Sequence, residues 1–330
     1  MRAAAPVRRH DESSGHALRL SPAWPDPGAV QAVIRTGGPF WPLANYAAND
    51  AEMAALGSRR ASFTPPWFRQ DVVLGGRALL EGAELLLDNP LFAAAARTIA
   101  GPAAVVRPTT VYVNIMGPTP FAFPPHLDVP AFRGFTRAEH PIWLLKVMMA
   151  SGLFERWRTK IVTAVSWFYD GPGGDFHYWP EGPDGAAAVE HPPFDNVAVV
   201  ADNEATFHGV GPLGPPGARM PEGLTSECRL IRAAEAWEVR DAQGTVLVRY
   251  SDDEVRTTVS WKADVFADPD EAAAAAGGSD TLDLAQVLTV FDDDLRRRGL
   301  APPRPTEPLA DQEWIALLAD TYHQASPALR

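Results

Sequence analysis

Clusters of proline and glycine divide the middle of this chain into short segments. The 330 residues include 32 prolines and 26 glycines, which concentrate in runs such as 171-GPGG-174, 211-GPLGPPG-217 and 301-APPRP-305. Both residue types end regular elements and mark turns, so each run limits the length of the element before it. Many short strands separated in this way are typical of a β-sandwich or jelly roll.

The strands predicted between these turns lie in residues 109–268. Their segments are rich in β-branched and aromatic residues and alternate in polarity, as in 109-TTVYVNIM-116. The other strands are predicted at 161–170, 174–180, 196–200, 205–210, 236–240, 245–250 and 254–266. We therefore predict a jelly-roll core over residues 109–268.

Helical patterns flank this core on both sides. Apolar residues recur at helical spacing between Arg77 and Ala100, and again in 281–299 and 311–324. A further helix is predicted within 138–158, beginning near Pro141. The order of helices, then strands, then helices predicts a mainly β fold with helical flanks.

We predict that the chain consists of a mobile tail, residues 1–25, and a single catalytic domain, residues 26–330. The tail lacks the apolar stretch of about 7–15 residues that a secretory signal contains. Within the domain we predict an N-terminal helical part at 26–108, the jelly-roll core at 109–268 and C-terminal helices at 269–330.

The composition argues against several classes of function. The 29 Lys+Arg against 41 Asp+Glu give a net charge of -12, which disfavours a general nucleic-acid-binding protein. No run of about 18 apolar residues is present that would span a membrane. The single cysteine, Cys228, excludes an intrachain disulfide and favours a reducing cytoplasm.

A histidine stands two residues before an aspartate in 122-AFPPHLDVPAF-132. In an extended chain the side chains of His126 and Asp128 project from the same face, so two metal-binding groups face one space. An H-x-[DE] pair arises about once by chance in a chain of this composition, and a second one occurs at His10 and Glu12. The first pair therefore gains meaning only if the rest of the chain supplies another ligand.

His208 supplies that third group. It follows a strand and an Asp-Asn turn, and it precedes a Gly/Pro loop. Iron(II) enzymes often bind their metal through two histidines and one carboxylate, and His126, Asp128 and His208 match this set. A structural histidine in a turn is the alternative for His208, and His177 is the alternative ligand.

Arg256 is a candidate for binding an anion. In 255-VRTTVSW-261 the alternate residues Arg256, Thr258 and Ser260 share one face of a strand. A guanidinium grips a carboxylate through two parallel hydrogen bonds, and a neighbouring hydroxyl adds a third contact. An ordinary salt bridge to a protein acid is the alternative.

Together these residues resemble the motif of the Fe(II)- and 2-oxoglutarate-dependent dioxygenase family: His126-Leu-Asp128, then His208, then Arg256-x-Thr258 in a late strand. The resemblance implies a double-stranded β-helix, which is a cupin-like jelly roll. It implies Fe(II) bound by His126, Asp128 and His208, and 2-oxoglutarate held through its distal carboxylate by Arg256 and Thr258. It also implies that O2 is consumed and that a small organic molecule is oxidised, with release of succinate and CO2. Because Asp128 is kept, the resemblance implies hydroxylation, desaturation or ring formation rather than halogenation.

The resemblance covers about residues 109–266. It includes 168-FYDGPGGDFHYWPEGPDG-185, which resembles a Gly-Gly turn leading into a strand in that family. It departs from the family at one point, because His208 and Arg256 are 48 positions apart, a longer interval than in many members. An insertion that contains a hairpin at 236–250 would explain this interval.

Further residues are predicted to line the pocket. Tyr112 and Asn114 lie on the strand before the His-x-Asp pair, where they are candidates for binding the co-substrate. The candidates for contact with the substrate are Arg133, Trp167, His177 and Trp179. Residues 131–157, between the ligand pair and the next strand, are predicted to form a lid.

Two other functions stay open at this stage. One is a cupin-like metal enzyme that does not use 2-oxoglutarate, and the other is a non-catalytic jelly-roll binding protein whose histidines are structural. Three other arginines compete with Arg256 for the anion, although none has the R-x-[ST] pattern in so clear a strand: Arg219, Arg229 and Arg232.

Overall fold

The structure, a computed structural model, describes residues 17–43, 64–278, 280–300 and 303–329. The strands in these ranges are β1 (Ala17–Leu20), β2 (Trp41–Pro42), β3 (Trp67–Leu74), β4 (Arg77–Ala78), β5 (Val105–Met116), β6 (Phe123–His126), β7 (Ala131–Phe132), β8 (Arg158–Tyr169), β9 (Phe176–Trp179), β10 (Ala188–Glu190), β11 (Phe194–Ala201), β12 (Phe207–Val210), β13 (Arg229–Ala233), β14 (Ala236–Arg240), β15 (Val246–Tyr250) and β16 (Arg256–Phe266). The helices are α1 (Pro27–Thr36), α2 (Glu84–Leu87), α3 (Pro90–Ala100), α4 (Ile142–Ser151), α5 (Pro269–Ala276), α6 (Leu284–Arg297) and α7 (Gln312–Thr321).

Two antiparallel sheets form the core. The larger sheet has the strand order β1-β11-β8-β16-β5-β3-β2, and the smaller one has the order β10-β9-β12-β6. Along the chain, the core strands alternate between the two sheets. The large sheet contains β5, β8, β11 and β16, and the small sheet contains the strands between them, which are β6, then β9 and β10, then β12. This regular exchange between two sheets is the strand order of a double-stranded β-helix, so the predicted fold class, mainly β with helical flanks, is confirmed.

The two sheets face each other across an apolar layer. Its members come from the large sheet, such as Met116 and Trp167, and from the small sheet, such as Phe176 and Val210. The opposite face of the large sheet packs against helices α1 and α3 through a separate core that contains Trp261. Because strand side chains alternate between faces, residues 256, 258, 260 and 262 of β16 point into the space between the sheets.

The N-terminal region contains more strand than the sequence pattern predicts. Residues 17–20, assigned to a mobile tail, form β1 and pair with β11, and Leu18 and Leu20 pack on the large core. Residues 1–16 of that tail lie outside the described residues. The predicted helical part, 26–108, also includes β3, which pairs with β5 and widens the large sheet. Both strands are stabilised by pairing with a distant strand, β1 with β11 and β3 with β5, and the local sequence pattern does not reveal such pairing.

A three-stranded sheet of β13, β14 and β15 separates β12 from β16. It contains the hairpin predicted around 241-DAQG-244, where Gly244 has a φ of 84°. The insertion therefore accounts for the long interval between His208 and Arg256.

The helices of the second half form one cluster beside the β core. Helices α4, α6 and α7 bury a common apolar group that includes Phe154 and Phe291, whose rings lie 5.0 Å apart. Helix α4 is shorter than the predicted 138–158, because Gly152 at a φ of 67° ends it in the left-handed conformation. Among the described residues, no helix combines the length and the apolar character needed to cross a membrane.

Candidate metal and anion site

The three predicted metal ligands meet at the end of the small sheet. His126 ends β6 and pairs in antiparallel register with His208 of β12, so the two rings stand side by side with centroids 4.4 Å apart. Asp128 follows β6 by two residues, and its Oδ1 lies 3.7 Å from His208 Nε2. One ligand atom from each of the three side chains fits within a span of 4.8 Å. Neighbouring strands thus bring together residues that are 80 positions apart in the sequence.

Backbone carbonyls fix which nitrogen of each histidine is free. His126 Nδ1 donates to the carbonyl of Pro124 at 2.9 Å, and His208 Nδ1 donates to the carbonyl of Thr206 at 3.0 Å. A carbonyl only accepts, so the proton of each neutral ring must lie on Nδ1 and leave the Nε2 lone pair available to a metal. Burial, together with the nearby His208, lowers the pKa of His126 to about 4. Burial also lowers the pKa of His208, so both rings are neutral at pH 7.

Asp128 is held by two contacts. Its backbone N–H donates to the carbonyl of Asn203 at 2.9 Å, and its Oδ2 accepts from Lys262 Nζ at 2.7 Å. Burial alone would raise the pKa of Asp128, but the Lys262 ammonium and the two histidines hold that pKa well below its ordinary value. The carboxylate is therefore ionised, with Oδ2 engaged and Oδ1 facing His208.

Lys262 is a site residue that the sequence pattern did not identify. It lies on β16 on the same face as Arg256 and Thr258, six residues further along the strand. The nearby Glu204 is fully buried, and its carboxylate oxygens accept no hydrogen bond among the described residues, although Arg158 Nη2 lies 3.8 Å from Oε2. Burial raises the pKa of Glu204 well above its ordinary value. The alternation that predicts Arg256 and Thr258 extends to Lys262 and was the available signal.

The space between the sheets forms an inner cavity of about 120 Å³. It is lined by the three metal-ligand candidates and by residues on the interior faces of both sheets: Leu43, Trp67, Arg69, Tyr112, Asn114, Met116, Phe123, His126, Asp128, Val165, Trp167, Phe176, Asn203, His208, Val210, Arg256, Thr258 and Ser260. Tyr112, Asn114 and Trp167 were predicted from the sequence. Arg69 of β3 was not, because β3 was not predicted, and its guanidinium carbon lies 3.6 Å from the centroid of the Tyr112 ring.

Arg256 has unused hydrogen-bond donors inside this cavity. The side chain is among the largest that are fully buried, with 1% of the residue exposed. Its Nη1 donates to Thr258 Oγ1 at 2.8 Å, but Nε and Nη2 have no partner among the described residues. Burial lowers the pKa of Arg256 to about 9, against the opposing effects of Tyr169 and Asp175, so the guanidinium still carries its charge at pH 7. A buried, charged guanidinium with unused donors is suited to bind an anion.

The Gly-Gly turn before β9 makes room for this arginine. Gly174 has a φ of 76°, and a Cβ at this position would lie 3.0 Å from Arg256 Cδ and 2.6 Å from Leu213 Cδ1. The neighbouring Gly173 also has a positive φ, of 71°. The backbone of the predicted turn therefore favours glycine at both positions, and the packing of Arg256 requires it at Gly174.

The competing arginines are engaged elsewhere or exposed. Arg229 stacks on Trp41, with 3.1 Å between its guanidinium carbon and a ring centroid, and Arg232 pairs with Asp252 at 2.7 Å. Arg219 is exposed and lines none of the cavities described here.

Three of the predicted substrate contacts lie away from the inner cavity. Tyr178 of β9 pairs with His208, so His177 and Trp179 project from the opposite face of the strand, where their rings stack with centroids 6.4 Å apart. Arg133 donates to the carbonyl of Arg156 at 2.7 Å and pairs with Asp280 at 3.1 Å. His177 is therefore neither a metal ligand nor a wall of the cavity, and the charge of Arg133 is already satisfied.

A second cavity, called here the outer cavity, opens beside the same metal-ligand candidates. It has a volume of about 220 Å³ and is bordered by α4, α7 and the residues that follow α7. Among the described residues, the inner and outer cavities share only His126 and Asp128. The predicted lid, 131–157, borders this outer cavity through α4. A further cavity of about 240 Å³ lies beside α1 and contains none of the predicted site residues.

No protein-family model matches this sequence, and no curated protein matches it. Among solved structures, the chain is similar to an oxidoreductase of the 2OG-Fe(II) oxygenase family from Burkholderia pseudomallei, at 12% identity and a TM-score of 0.41 over 76% of this chain and 85% of that one. It is also similar to a prolyl-4-hydroxylase from Pseudomonas putida, at 12% identity and a TM-score of 0.36 over 76% and 93%. A third is HygX from Streptomyces hygroscopicus with nickel and 2-oxoglutarate bound, at 11% identity and a TM-score of 0.35 over 76% and 83%. The fold assignment rests on the strand order, and any function must rest on the site.

Proposed function

We propose that this protein is an Fe(II)- and 2-oxoglutarate-dependent oxygenase that acts on a small organic molecule. The observation that carries the proposal is the inner cavity, which combines a two-histidine, one-carboxylate cluster with a buried guanidinium that has two donors to spare. A molecule that satisfies both groups carries a metal-binding head and a distal carboxylate. 2-Oxoglutarate has this structure.

The donor set fits iron(II). Two neutral imidazoles and one carboxylate form the facial set typical of non-haem iron enzymes and leave open positions for other ligands. His126 Nε2, His208 Nε2 and Asp128 Oδ1 would hold the metal, because the second ring nitrogens and Oδ2 are already engaged by the protein. When bound, iron(II) with 2-oxoglutarate and O2 supplies the oxidant for a C–H bond, and the co-substrate leaves as succinate and CO2.

The protein residues position and shield this chemistry. Arg256 and Thr258 would bind the distal carboxylate, and Asn114 offers an Oδ1 that is buried without a partner among the described residues. Apolar side chains such as Trp167 and Phe176 would exclude water from the cavity. Lys262 fixes the orientation of Asp128. Because Asp128 fills the third protein position, we propose hydroxylation, or another outcome of the same hydrogen removal, rather than halogenation.

The chain organisation and location follow the same reasoning. We propose one catalytic domain, because residues of the predicted core, β3 of the N-terminal part and α7 of the C-terminal part all border the two cavities. Cys228 is buried and unpaired, which supports a reducing cytoplasm.

Anaerobic calorimetric titration of the Mn(II)-loaded protein tests the proposal. 2-Oxoglutarate should bind more tightly than 2-oxobutyrate, which has the same metal-binding head but lacks the distal carboxylate. The difference should be roughly 10- to 100-fold, as expected for hydrogen bonds to a charged group, and Arg256→Met should remove it. Arg232→Met is the matched control, because that arginine pairs with Asp252 away from the cavity.

The outcomes separate the rival functions. Binding of Mn(II) without binding of either oxo acid would favour a cupin-like metal enzyme that does not use 2-oxoglutarate. Failure to bind Mn(II), Fe(II) or Co(II) in stoichiometric amounts would favour a binding protein with structural histidines.

A further inference from the structure

The outer cavity borders two of the three metal-ligand candidates, which the inner cavity also borders. The two share His126 and Asp128 as lining residues and otherwise have different walls among the described residues. If 2-oxoglutarate occupies the inner cavity, a molecule in the outer cavity contacts the same two side chains from another direction. Its volume, about 220 Å³, lies below the roughly 300–1,000 Å³ typical of sites for drug-sized ligands. The occupant is therefore a small molecule.

The outer cavity presents one unpaired positive charge. Lys146 of α4 is exposed and lines this cavity, and it forms no hydrogen bond or ion pair among the described residues. The acid in the lining, Asp128, is already paired with Lys262 at 2.7 Å. The Lys146 side chain and the His126 ring line the same cavity. An anionic group bound in the cavity would therefore meet an available cation.

The rest of the lining is mostly apolar. Side chains from α4, such as Val147 and Met149, from β12, such as Phe207, and from the end of α7, such as Ala319 and the following Tyr322, form its walls. Aliphatic and aromatic walls favour a ligand with an apolar body, while the single ammonium fixes the orientation of its charged end. Arg133, which the sequence suggested for this role, is occupied by Asp280.

We propose that the outer cavity binds the substrate, and that the substrate is a small organic acid with an apolar body whose carboxylate pairs with Lys146. The inference rests on the proposed function, because it takes the metal-ligand cluster to be the reacting centre. The carboxylate directs the molecule, and the apolar body carries the C–H bond toward His126 and Asp128. Lys146 is thus a residue that determines substrate specificity.

The small number of lysines makes this inference testable without turnover. The sequence contains only Lys146, Lys160 and Lys262. Lys160 is exposed on β8 and lines none of the cavities described here, whereas Lys262 is paired with Asp128. Reductive methylation with formaldehyde, followed by peptide mass spectrometry, reports the accessibility of Lys146 with Lys160 as the internal control.

The probes are propanoate, hexanoate and 3-phenylpropanoate, each compared with its own amide on the full-length, metal-free protein. At least one acid should slow methylation of Lys146 by roughly three- to tenfold, as for a partly screened ion pair, while its amide and the rate at Lys160 show no such effect. Equal rates at Lys146 with every acid and its amide would overturn the proposal.

A second measurement separates this inference from the proposed function. The acid that protects best is titrated into the protein loaded with Mn(II) and 2-oxoglutarate, with Lys146→Met as the variant and Lys160→Met as the control. Lys146→Met should bind the acid no better than the amide, whereas Lys160→Met should keep the wild-type preference. Protection of Lys146 in a protein that binds no 2-oxoglutarate would sink the proposed function and leave the acid-binding cavity standing. Binding of 2-oxoglutarate without any acid preference would do the reverse.

Discussion

Replacing Arg256 by methionine should stabilise the ligand-free protein and remove its response to 2-oxoglutarate. Burial lowers the pKa of this guanidinium to about 9, and below that pH the group is charged in both the folded and the unfolded chain. The buried, charged guanidinium therefore destabilises the folded state by the whole difference in pKa between the unfolded and the folded chain. Each tenfold change in proton affinity corresponds to about 1.4 kcal/mol, so the total is roughly 5 kcal/mol. If Arg256 were instead an ordinary salt-bridged arginine, its replacement by methionine would destabilise the protein.

The net gain should be smaller than this penalty. Methionine loses the hydrogen bond from Nη1 to Thr258. It also loses the cation–π contacts with the Trp167 and Phe194 rings, whose centroids lie 5.6 and 5.4 Å from the guanidinium carbon, and replaces them with weaker contacts between its thioether and the same rings. Replacing buried charged groups by apolar ones stabilises other proteins by about 1–4 kcal/mol. For a chain of this length that range corresponds to a rise in Tm of about 1–6 °C.

Differential scanning calorimetry of the metal-free protein measures the effect, with Arg232→Met as the control. Addition of Mn(II) and 2-oxoglutarate should then raise the Tm of the wild type and of Arg232→Met more than that of Arg256→Met. A fall in the Tm of metal-free Arg256→Met, together with an unchanged response to 2-oxoglutarate, would show that the arginine is a structural cation and would refute the reasoning.

Four other changes have defined outcomes. Lys262→Met leaves the buried Asp128 carboxylate without the ammonium that pairs with it. Urea unfolding should therefore show that the free energy of unfolding falls by about 3–5 kcal/mol in the metal-free protein and by less in the Mn(II)-loaded protein. Equal losses in the two forms would contradict the role given to Lys262. Asp128→Gly should abolish product formation in a halide-free assay, and wild-type coupled turnover would show that Asp128 is not a ligand. Gly174→Val should displace the stem of Arg256 and weaken 2-oxoglutarate binding by about tenfold or more while sparing Mn(II) binding, with both affinities measured by titration. The free energy of unfolding of the metal-free protein should rise as the pH increases from about 4 to 6.5, because His126 is protonated in the unfolded chain over this range but not in the folded chain. If urea unfolding gave the same free energy across this pH range, the result would argue against a buried, neutral His126 ring.

The side chains that the sequence predicted to lie together, and that the structure places together, come from local patterns with a period of two. Arg256 and Thr258 share a strand face whatever the tertiary structure, and His126 and Asp128 are near neighbours in the chain. Their alternation predicted the side-chain directions, and the Gly/Pro punctuation predicted the kind of fold that brings His208 to them. Lys262 continues the same alternation, so it was within reach of the same reasoning.

The parts that were missed depend on pairing between distant segments. The orientation of His177 is decided by the register of β9 on β12, in which Tyr178 stands opposite His208. A shift of one residue would reverse it, and no local pattern reports that register. Lys146 looks like any exposed lysine on a helix until α4 is packed beside the cavity. Strand β3, which carries Arg69, gains its stability from β5 rather than from its own sequence.

Strand β16 carries both Arg256, the proposed anion-binding residue, and Lys262, which pairs with Asp128. This strand is hydrogen-bonded to β5 on one side and to β8 on the other. Its amide hydrogens should therefore exchange with solvent only when the whole domain opens, whereas the cluster formed by α4, α6 and α7 can open as a separate unit at lower free energy. Mild heat or low denaturant would then produce a partly open species that still captures 2-oxoglutarate and metal but has lost the walls of the outer cavity. Such a species would consume the co-substrate without oxidising anything else. As the temperature or the denaturant concentration rises, oxidation of the substrate should therefore be lost before the inner cavity stops binding metal or 2-oxoglutarate.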